Sequence, residues 1–363
     1  EGYREHRDRA LSINPAYGDF FNLAAELSVR RRLYQAAVDL AAEAVRVDPE
    51  SWRGHGILGV NLLRVGEVEA GRVSLQKAFD GDPFNPWYKN TLDLLDVLDV
   101  YRTVSSARFR AVLEPDQAGV LSLYLPELAE EAYESLVERY GYRPSVPVRV
   151  EVFARHADFS VRTIGLAGFG ALGVSFGGVI AMNSPSARPP GTFNWASTLW
   201  HELSHTFTLG KTEHRIPRWF TEGLAVLDER KARPGWGDDV GPDFLLAYKT
   251  GRLFPVGELN RGFVRPRYPE QIGHSYIQAS LVCEMIEDED GLDALLDMLE
   301  GYRLGWSGDR VFREVLGTDP ESLDKRFRTW LEARYAVPLA ALPVPSGSPS
   351  AAPQAAGLPS GAR

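Results

Sequence analysis

The sequence predicts an α+β protein, with N-terminal all-α helical repeats followed by a two-lobed region that has a mixed sheet in one lobe and helices in the other. Prolines recur at a fixed interval near the N-terminus, and apolar residues alternate in short segments in the middle of the chain. Helical spacing dominates the C-terminal third. The 363 residues, 44% hydrophobic and 25% charged, are sufficient for two globular domains.

Charge and cysteine content exclude several kinds of partner and site. The net charge of -9 argues against nucleic acid or an anionic membrane surface as the main partner. No apolar run reaches the length of a membrane span. Cys283 is the single cysteine, so an internal disulfide and a thiolate metal cluster are both excluded, and histidines and carboxylates remain as metal ligands. The sequence leaves the cellular compartment open.

A 34-residue period organises residues 1–100. Pro15, Pro49 and Pro83 mark it, and an alanine precedes each by five residues. In helix-turn-helix repeats of this period, proline ends the second helix and small residues let paired helices approach. The alternative is a set of ordinary amphipathic helices. The pattern resembles the tetratricopeptide repeat, which implies a surface for a protein partner. Because the first copy lacks its first helix, we expect the chain to begin inside an array of a longer protein.

Short strands and helices follow in residues 105–338. Residues 108–113 and 147–153 are predicted as strands, and residues 124–140 as a helix that begins near Pro126. A further strand is predicted at Val179–Asn183, and we expect it to offer an exposed edge to which an extended peptide can add. Residues 168–173 formally match the dinucleotide-binding pattern of glycines, but no helix pattern follows them. The glycine-rich segment is therefore interpreted as a hairpin.

Residues 200–205 read Trp-His-Glu-Leu-Ser-His and lie in a predicted helix that Thr192 or Asn194 caps. His201 and His205 are four residues apart and share a helix face, where two imidazoles can hold one zinc ion beside Glu202. A catalytic zinc takes three protein ligands and keeps its fourth position for water. Glu222, on the next predicted helix, is the candidate third ligand; the alternative is a pair of structural histidines.

Residues 201–205 and the Trp-Phe-Thr-Glu-Gly segment at 219–223 together resemble the gluzincin metallopeptidases, in particular the peptidase MA-like domains often joined to tetratricopeptide repeats. The resemblance implies a thermolysin-like zincin fold, zinc held by His201, His205 and Glu222, and Glu202 as general base. It also implies hydrolysis of peptide bonds in a peptide or protein substrate. The Gly-x-Met-x-Asn exopeptidase motif is absent, which argues against the aminopeptidase branch.

Four further residues are candidates for supporting roles. Asp228 or Glu229 could hold the far nitrogens of the imidazoles, although a solvated helix charge is the favoured interpretation of both. Tyr276, and after it His274, are candidate donors to the oxyanion, with packing and helix capping as the alternatives. His214 is interpreted as a surface residue.

The predicted function is that of a zinc-dependent metallopeptidase. The alternative is a non-catalytic peptide-binding scaffold with a zincin-like pseudoenzyme domain. Helical faces in residues 292–335 predict the second lobe, and residues 343–363, rich in Pro, Ser, Ala and Gly, are expected to form a disordered tail.

Overall fold

A computed structural model describes residues 2–343, and this part of the chain is α+β, with seventeen α-helices and one five-stranded sheet. Of the predicted tail, all but Pro343 lies outside the described residues. The chain divides into two compact units. Unit 1 runs to Ile216 and also takes Asp228–Trp236 and Leu299–Gly305, whereas unit 2 comprises Pro217–Leu227, Gly237–Met298 and the chain from Trp306 onwards. No helix in the described part is long and apolar enough to cross a membrane.

Six helices open unit 1, and consecutive helices from the second to the sixth pack on one another. They are α1 (Gly2–Ile13), α2 (Asp19–Arg30), α3 (Tyr34–Val47), α4 (Trp52–Arg64), α5 (Val68–Gly81) and α6 (Pro86–Leu98).

The backbone of these helices repeats every 34 residues. Leu33 before α3 and Glu67 before α5 have φ/ψ angles of -84°/67° and -83°/68°. Asp48 and Asp82, which follow the same two helices, have angles of -136°/86° and -136°/74°. The period read from the prolines is therefore present in the backbone, and its assignment to the tetratricopeptide family remains a proposal.

The sheet also belongs to unit 1. Its strands are β1 (Arg102–Ser105), β2 (Phe109–Leu113), β3 (Val148–Phe153), β4 (Gly173–Ser175) and β5 (Val179–Asn183), in the spatial order β1-β2-β3-β5-β4. The inner strands β2, β3 and β5 are parallel, and the outer strands β1 and β4 run antiparallel to their neighbours. Helices α7 (Pro115–Tyr140) and α8 (His156–Ile164) follow β2 and β3.

Two expectations about this region are wrong. Helix α7 begins at Pro115, not near Pro126, because the Glu114 side chain accepts hydrogen bonds from the backbone N–H groups of Asp116 and Gln117 and proline suits the first turn. Strand β5 is not an edge strand, because the hairpin predicted in the glycine-rich segment folds β4 back along its outer side. The edge therefore belongs to β4.

The helices before residue 100 share a hydrophobic core with the sheet. Leu92, Leu95 and Leu98 of α6 lie in one buried cluster with Phe153 of β3 and Phe159 of α8. The cluster also includes Leu63 and Leu75 from α4 and α5. Burial of these large side chains is worth about 1.5–3 kcal/mol each, so the helices hold the sheet through apolar contacts rather than through a linker alone.

The remaining helices include those that carry the candidate ligands. They are α9 (Trp195–Lys211), α10 (Arg218–Ala232), α11 (Pro242–Lys249), α12 (Asn260–Val264), α13 (Gln271–Asp290), α14 (Leu292–Arg303), α15 (Gly308–Leu316), α16 (Pro320–Arg334) and α17 (Ala336–Ala341). Short 3-10 turns occupy Pro185–Ala187 and Val256–Glu258. Helix α10 is continuous, although its residues up to Leu227 belong to unit 2 and those from Asp228 belong to unit 1.

Candidate metal centre

Helix α9 presents the two histidines. Asn194, one of the two predicted caps, accepts hydrogen bonds from the backbone N–H groups of Ala196 and Ser197, at 3.0 and 3.3 Å. One apolar stripe of this helix is buried: Leu199, Leu203 and Phe207 are fully inaccessible to solvent. This stripe fixes the rotation of α9 in unit 1 and directs the histidine face away from the apolar core.

His201 and His205 point at a common position. Their Nε2 atoms lie 3.1 Å apart, and their ring centroids are separated by 4.7 Å with the rings almost perpendicular. His205 is buried and His201 partly so. Two imidazole nitrogens that converge in this way are suited to a shared cation, since each keeps a lone pair when neutral.

Glu222 supplies the third ligand atom. One ligand atom each from His201, His205 and Glu222 lie within 4.8 Å of one another. Around a tetrahedral zinc with bonds of about 2.1 Å, ligand atoms would be about 3.4 Å apart. Two imidazoles and a carboxylate at this spacing fit zinc in type and number. The structure thus brings together the three residues predicted as ligands.

Glu229 contacts the far side of His201. Its Oε1 lies 2.6 Å from His201 Nδ1, and its Oε2 accepts a hydrogen bond from the hydroxyl of Ser197. A carboxylate at Nδ1 holds the proton there, so that Nε2 is the ring nitrogen able to ligate a metal. The interpretation of Glu229 as a solvated helix charge is wrong, because its side chain is buried among these partners. The sequence did contain a signal for this position: Glu229 follows Glu222 by seven residues, and two helical turns return to the same face of a helix.

Asp228 is also buried and not solvated. Its carboxylate accepts hydrogen bonds from the hydroxyls of Tyr140, at 2.7 Å, and Ser204, at 2.5 Å, and lies 2.8 Å from the Arg139 guanidinium. Burial and the negative charge of Asp228 raise the pKa of Tyr140 well above its ordinary value. Because Ser204 lies next to His205 in α9, this network ties the C-terminal half of α10 to α7 and to the histidine helix.

Glu202 is buried beside the edge strand. A Cβ atom built on Gly173 of β4 would lie 2.7 Å from Glu202 Oε1, closer than real Cβ contacts allow. Strand β4 is also joined to α9 by Ser175, whose hydroxyl oxygen lies 3.1 Å from that of Thr206. The glycine at 173 therefore lets the backbone of β4 reach the Glu202 carboxylate, a role that the sequence analysis missed.

Within unit 2, Arg218 connects Glu222 to Tyr276. The Nε atom of Arg218 donates to Glu222 Oε1 at 3.2 Å, and its guanidinium is hydrogen-bonded to the Tyr276 hydroxyl. Burial lowers the pKa of Arg218, but the charge of Glu222 and the contact with Tyr276 outweigh this and raise it. Gly223 lets α10 and α13 approach, since its Cβ would lie 2.6 Å from the carbonyl oxygen of Ala279.

His274 lies on a different side of α13 from Tyr276, because residues two apart on a helix diverge by about 200°. Its Nδ1 is 3.0 Å from the hydroxyl of Tyr268, and its ring contacts Phe244. Burial, and then the nearby charge of Arg252, lower its pKa. The catalytic role of His274 stays a prediction, as does that of Tyr276.

His214 is partly buried, so its interpretation as a surface residue is wrong. Its backbone has a positive φ of 60°, and its ring lies edge to face with Tyr34 of α3, 6.3 Å between centroids. Burial lowers its pKa. The turn after α9 therefore packs against the N-terminal helices instead of projecting into water.

No protein-family model, curated protein or solved structure matches the chain. The gluzincin and tetratricopeptide resemblances rest on the residues of this chain alone. The function is therefore inferred from the geometry around His201 and Glu222.

Proposed function

We propose that the protein is a zinc metallopeptidase in which His201, His205 and Glu222 hold the metal. The convergence of their ligand atoms within 4.8 Å carries this proposal. Three protein ligands leave a fourth position for water or substrate, which is the arrangement of catalytic rather than structural zinc sites. When bound, zinc supplies a Lewis acid that polarises a carbonyl group and lowers the pKa of water.

Glu202 is the general base of the proposed reaction. It follows His201 directly on α9, and its carboxylate lies against β4. A carboxylate in this place can take the proton of the attacking water and deliver it to the leaving amine, so that one peptide bond and one water become a carboxylate and an amine. The histidines cannot take this role while Nε2 is committed to the metal.

The outer edge of β4 is the proposed binding site for the peptide main chain. Strand β4 is the last strand of the sheet in the described residues and pairs only with β5. An extended peptide can add to such an edge through main-chain hydrogen bonds, which bind many sequences alike. Because Gly173 brings this backbone against Glu202, a peptide bond held on β4 would lie beside the base.

Tyr276 is the proposed donor to the oxyanion that develops on the scissile carbonyl. Its hydroxyl reaches Glu222 through a single intermediate residue, Arg218. A hydroxyl hydrogen-bonds more strongly to the oxyanion of the transition state than to the carbonyl oxygen of the bound substrate. It therefore lowers the barrier more than it strengthens substrate binding. His274 has less support, because its Nδ1 faces Tyr268.

The test compares zinc content and peptide cleavage for wild type, Glu202→Gln and Glu222→Gln. Wild type should hold one zinc by mass spectrometry and cleave members of a peptide library. Glu202→Gln should keep the zinc and lose about 10²–10⁴-fold in kcat/KM, whereas Glu222→Gln should lose the zinc. The matched control is Glu138→Gln, a change at an exposed glutamate of α7.

Two results would count against the proposal. If the wild type holds zinc but cleaves no peptide that Glu202→Gln leaves intact, the scaffold with a pseudoenzyme domain is favoured. Retention of zinc by Glu222→Gln at wild-type affinity would remove this glutamate from the ligand set.

A further inference from the structure

Arg64, the last residue of α4, has no carboxylate partner in the described part of the chain. Its Nη1 donates to Asn61 Oδ1 at 3.1 Å, and its guanidinium carbon lies 5.4 Å from the centroid of the Tyr34 ring and 5.8 Å from that of Phe176. Its Nε is buried and has no hydrogen-bond partner among the described residues. A buried guanidinium left in this state is costly, because cation-π contacts replace only part of its hydration.

Neighbouring charges do not compensate Arg64. Glu151, the carboxylate that pairs with the neighbouring Arg162, is buried and already engaged by two arginines, Arg162 at 2.6 Å and Arg149 at 2.7 Å. Arg162 also donates to the carbonyl oxygen of Leu63 at 2.8 Å. Two guanidinium groups thus already share the Glu151 carboxylate. Burial, and then the charge of Arg162, lower the pKa of Arg64.

Arg64 lines a cavity of about 470 Å³ bounded by α2, α4, α6 and α8, all within unit 1. Its polar lining also includes Asn61, Arg162, the ion pair of Glu26 with Arg53, and the exposed Arg30. The apolar part of the lining comes from all four helices: Val29, Ile57, Val60, Trp87 and Ile164. The end of α8 forms one wall, where Gly165 O accepts a hydrogen bond from the Asn90 side chain at 3.1 Å. The volume and the mixed lining are those of a small-ligand site.

We propose that this cavity binds a carboxylate attached to an apolar body, with Arg64 as the cation that pairs with the carboxylate. The planar guanidinium matches a carboxylate in shape, and one negative charge offsets the cation that the protein leaves without a partner. The apolar lining takes the body of the ligand. The carboxylate can belong to a free organic acid or to the C-terminal residue of a peptide.

The apolar part of the lining favours a carboxylate with an apolar body over inorganic phosphate. Phosphate is recognised by several donors around a wholly polar ion, whereas the side chains of Ile57, Val60 and Ile164 offer no hydrogen bonds. The wall formed by α8 also limits the length of chain that fits. A peptide would enter with its last residues only.

Isothermal titration calorimetry on the full chain tests the proposal. The probes are hexanoate, an N-acetylated tripeptide ending in leucine, the corresponding amides of both, and inorganic phosphate. Each is titrated into zinc-loaded protein and into protein treated with a chelator, so that a carboxylate bound at the metal centre is recognised by its zinc dependence. At least one free acid should bind with and without zinc, and its amide at least about tenfold more weakly.

Variants locate the binding. Arg64→Gln should weaken binding of the free acid at least about tenfold. Arg46→Gln, at an exposed arginine of α3 outside the cavity, should leave the Kd of the acid unchanged. Val60→Phe narrows the cavity and retains every charge, so it should also abolish binding. This second variant decides the matter if circular dichroism shows that Arg64→Gln does not fold.

Binding of hexanoate would identify a free acid as sufficient, and binding of the tripeptide acid alone would identify a peptide C-terminus. The proposal is overturned if amides bind as well as acids, if phosphate competes equally, or if neither Arg64→Gln nor Val60→Phe changes the Kd.

Discussion

The Oε1 atom of Glu229 lies 2.6 Å from Nδ1 of His201, and this contact determines which nitrogen of the ring is available to a metal. Glu229 and Glu222 lie two turns apart on one helix, so the same face of α10 carries a proposed metal ligand and the residue that orients another. Any substitution that rotates this face would disturb both.

Glu229→Gln should weaken zinc binding by about 10–100-fold. The amide keeps the size of the side chain but loses the charge that stabilises the Nδ1 proton of His201. Competition with a fluorescent zinc chelator measures the affinity, and Glu138→Gln, at an exposed glutamate of α7, is the control. An unchanged affinity would show that the contact with His201 does not tune the site.

Gly173→Ala should lower kcat/KM by about 10²-fold, because a displacement of about 1 Å at a reacting group has this order of effect. The added Cβ would lie 2.7 Å from Glu202 Oε1, so either β4 or the carboxylate must move. Zinc content should not change. Gly170→Ala is a matched control in the same segment, since no atom lies within 4 Å of its Cβ. Equal activity of the two variants would contradict the proposed contact.

Tyr276→Phe should lower kcat by about 10²-fold or more with little effect on KM, if its hydroxyl stabilises the oxyanion. Steady-state kinetics on one cleaved peptide separates the two constants. His274→Gln is the comparison, because sequence reasoning gave both residues the same role. If the histidine variant loses kcat and the phenylalanine variant does not, the role belongs to His274.

Asp228→Asn should reduce the free energy of unfolding by about 3–5 kcal/mol, the usual cost of leaving one partner of a buried ion pair without its counterpart. The change leaves the Arg139 guanidinium beside a neutral amide and removes a charged acceptor from Tyr140 and Ser204. Urea denaturation measures the loss. If this variant is as stable as the control Asp239→Asn, made at an exposed aspartate of unit 2 outside every helix, the buried network does not contribute to stability as expected.

Stability should fall above pH 10 partly because of Tyr140. Its pKa in the unfolded chain is the ordinary 10.0 and is raised by burial in the folded protein, so above pH 10 the unfolded state loses a proton that the folded state keeps. The difference favours unfolding. Tyr140→Phe should therefore show a shallower loss of stability between pH 10 and 11 in urea titrations, and equal slopes would contradict the raised pKa.

Local patterns predicted the histidine pair, because four-residue spacing on a helix needs no tertiary information. Glu222 was found by a second local motif. Glu229 was misjudged because the burial of a helical carboxylate depends on what packs against it, here Ser197 and His201.

Strand order was predictable only in part. Alternating valines identified β3, but the position of β5 inside the sheet depends on the return of β4 along it. The contact of Gly173 with Glu202 joins residues that are 29 positions apart, and no local pattern records it. The start of α7 was visible at Glu114 and Pro115, where the sequence carries a capping carboxylate and a proline.

The cluster that joins α6 to β3 and α8 has a consequence for folding cooperativity. Leu92, Leu95 and Leu98 are buried by Phe153 and Phe159, so neither side completes its core alone. The N-terminal helices and the sheet should therefore melt in one transition, and a chain cut between residues 100 and 105 should yield two fragments that expose apolar surface and aggregate.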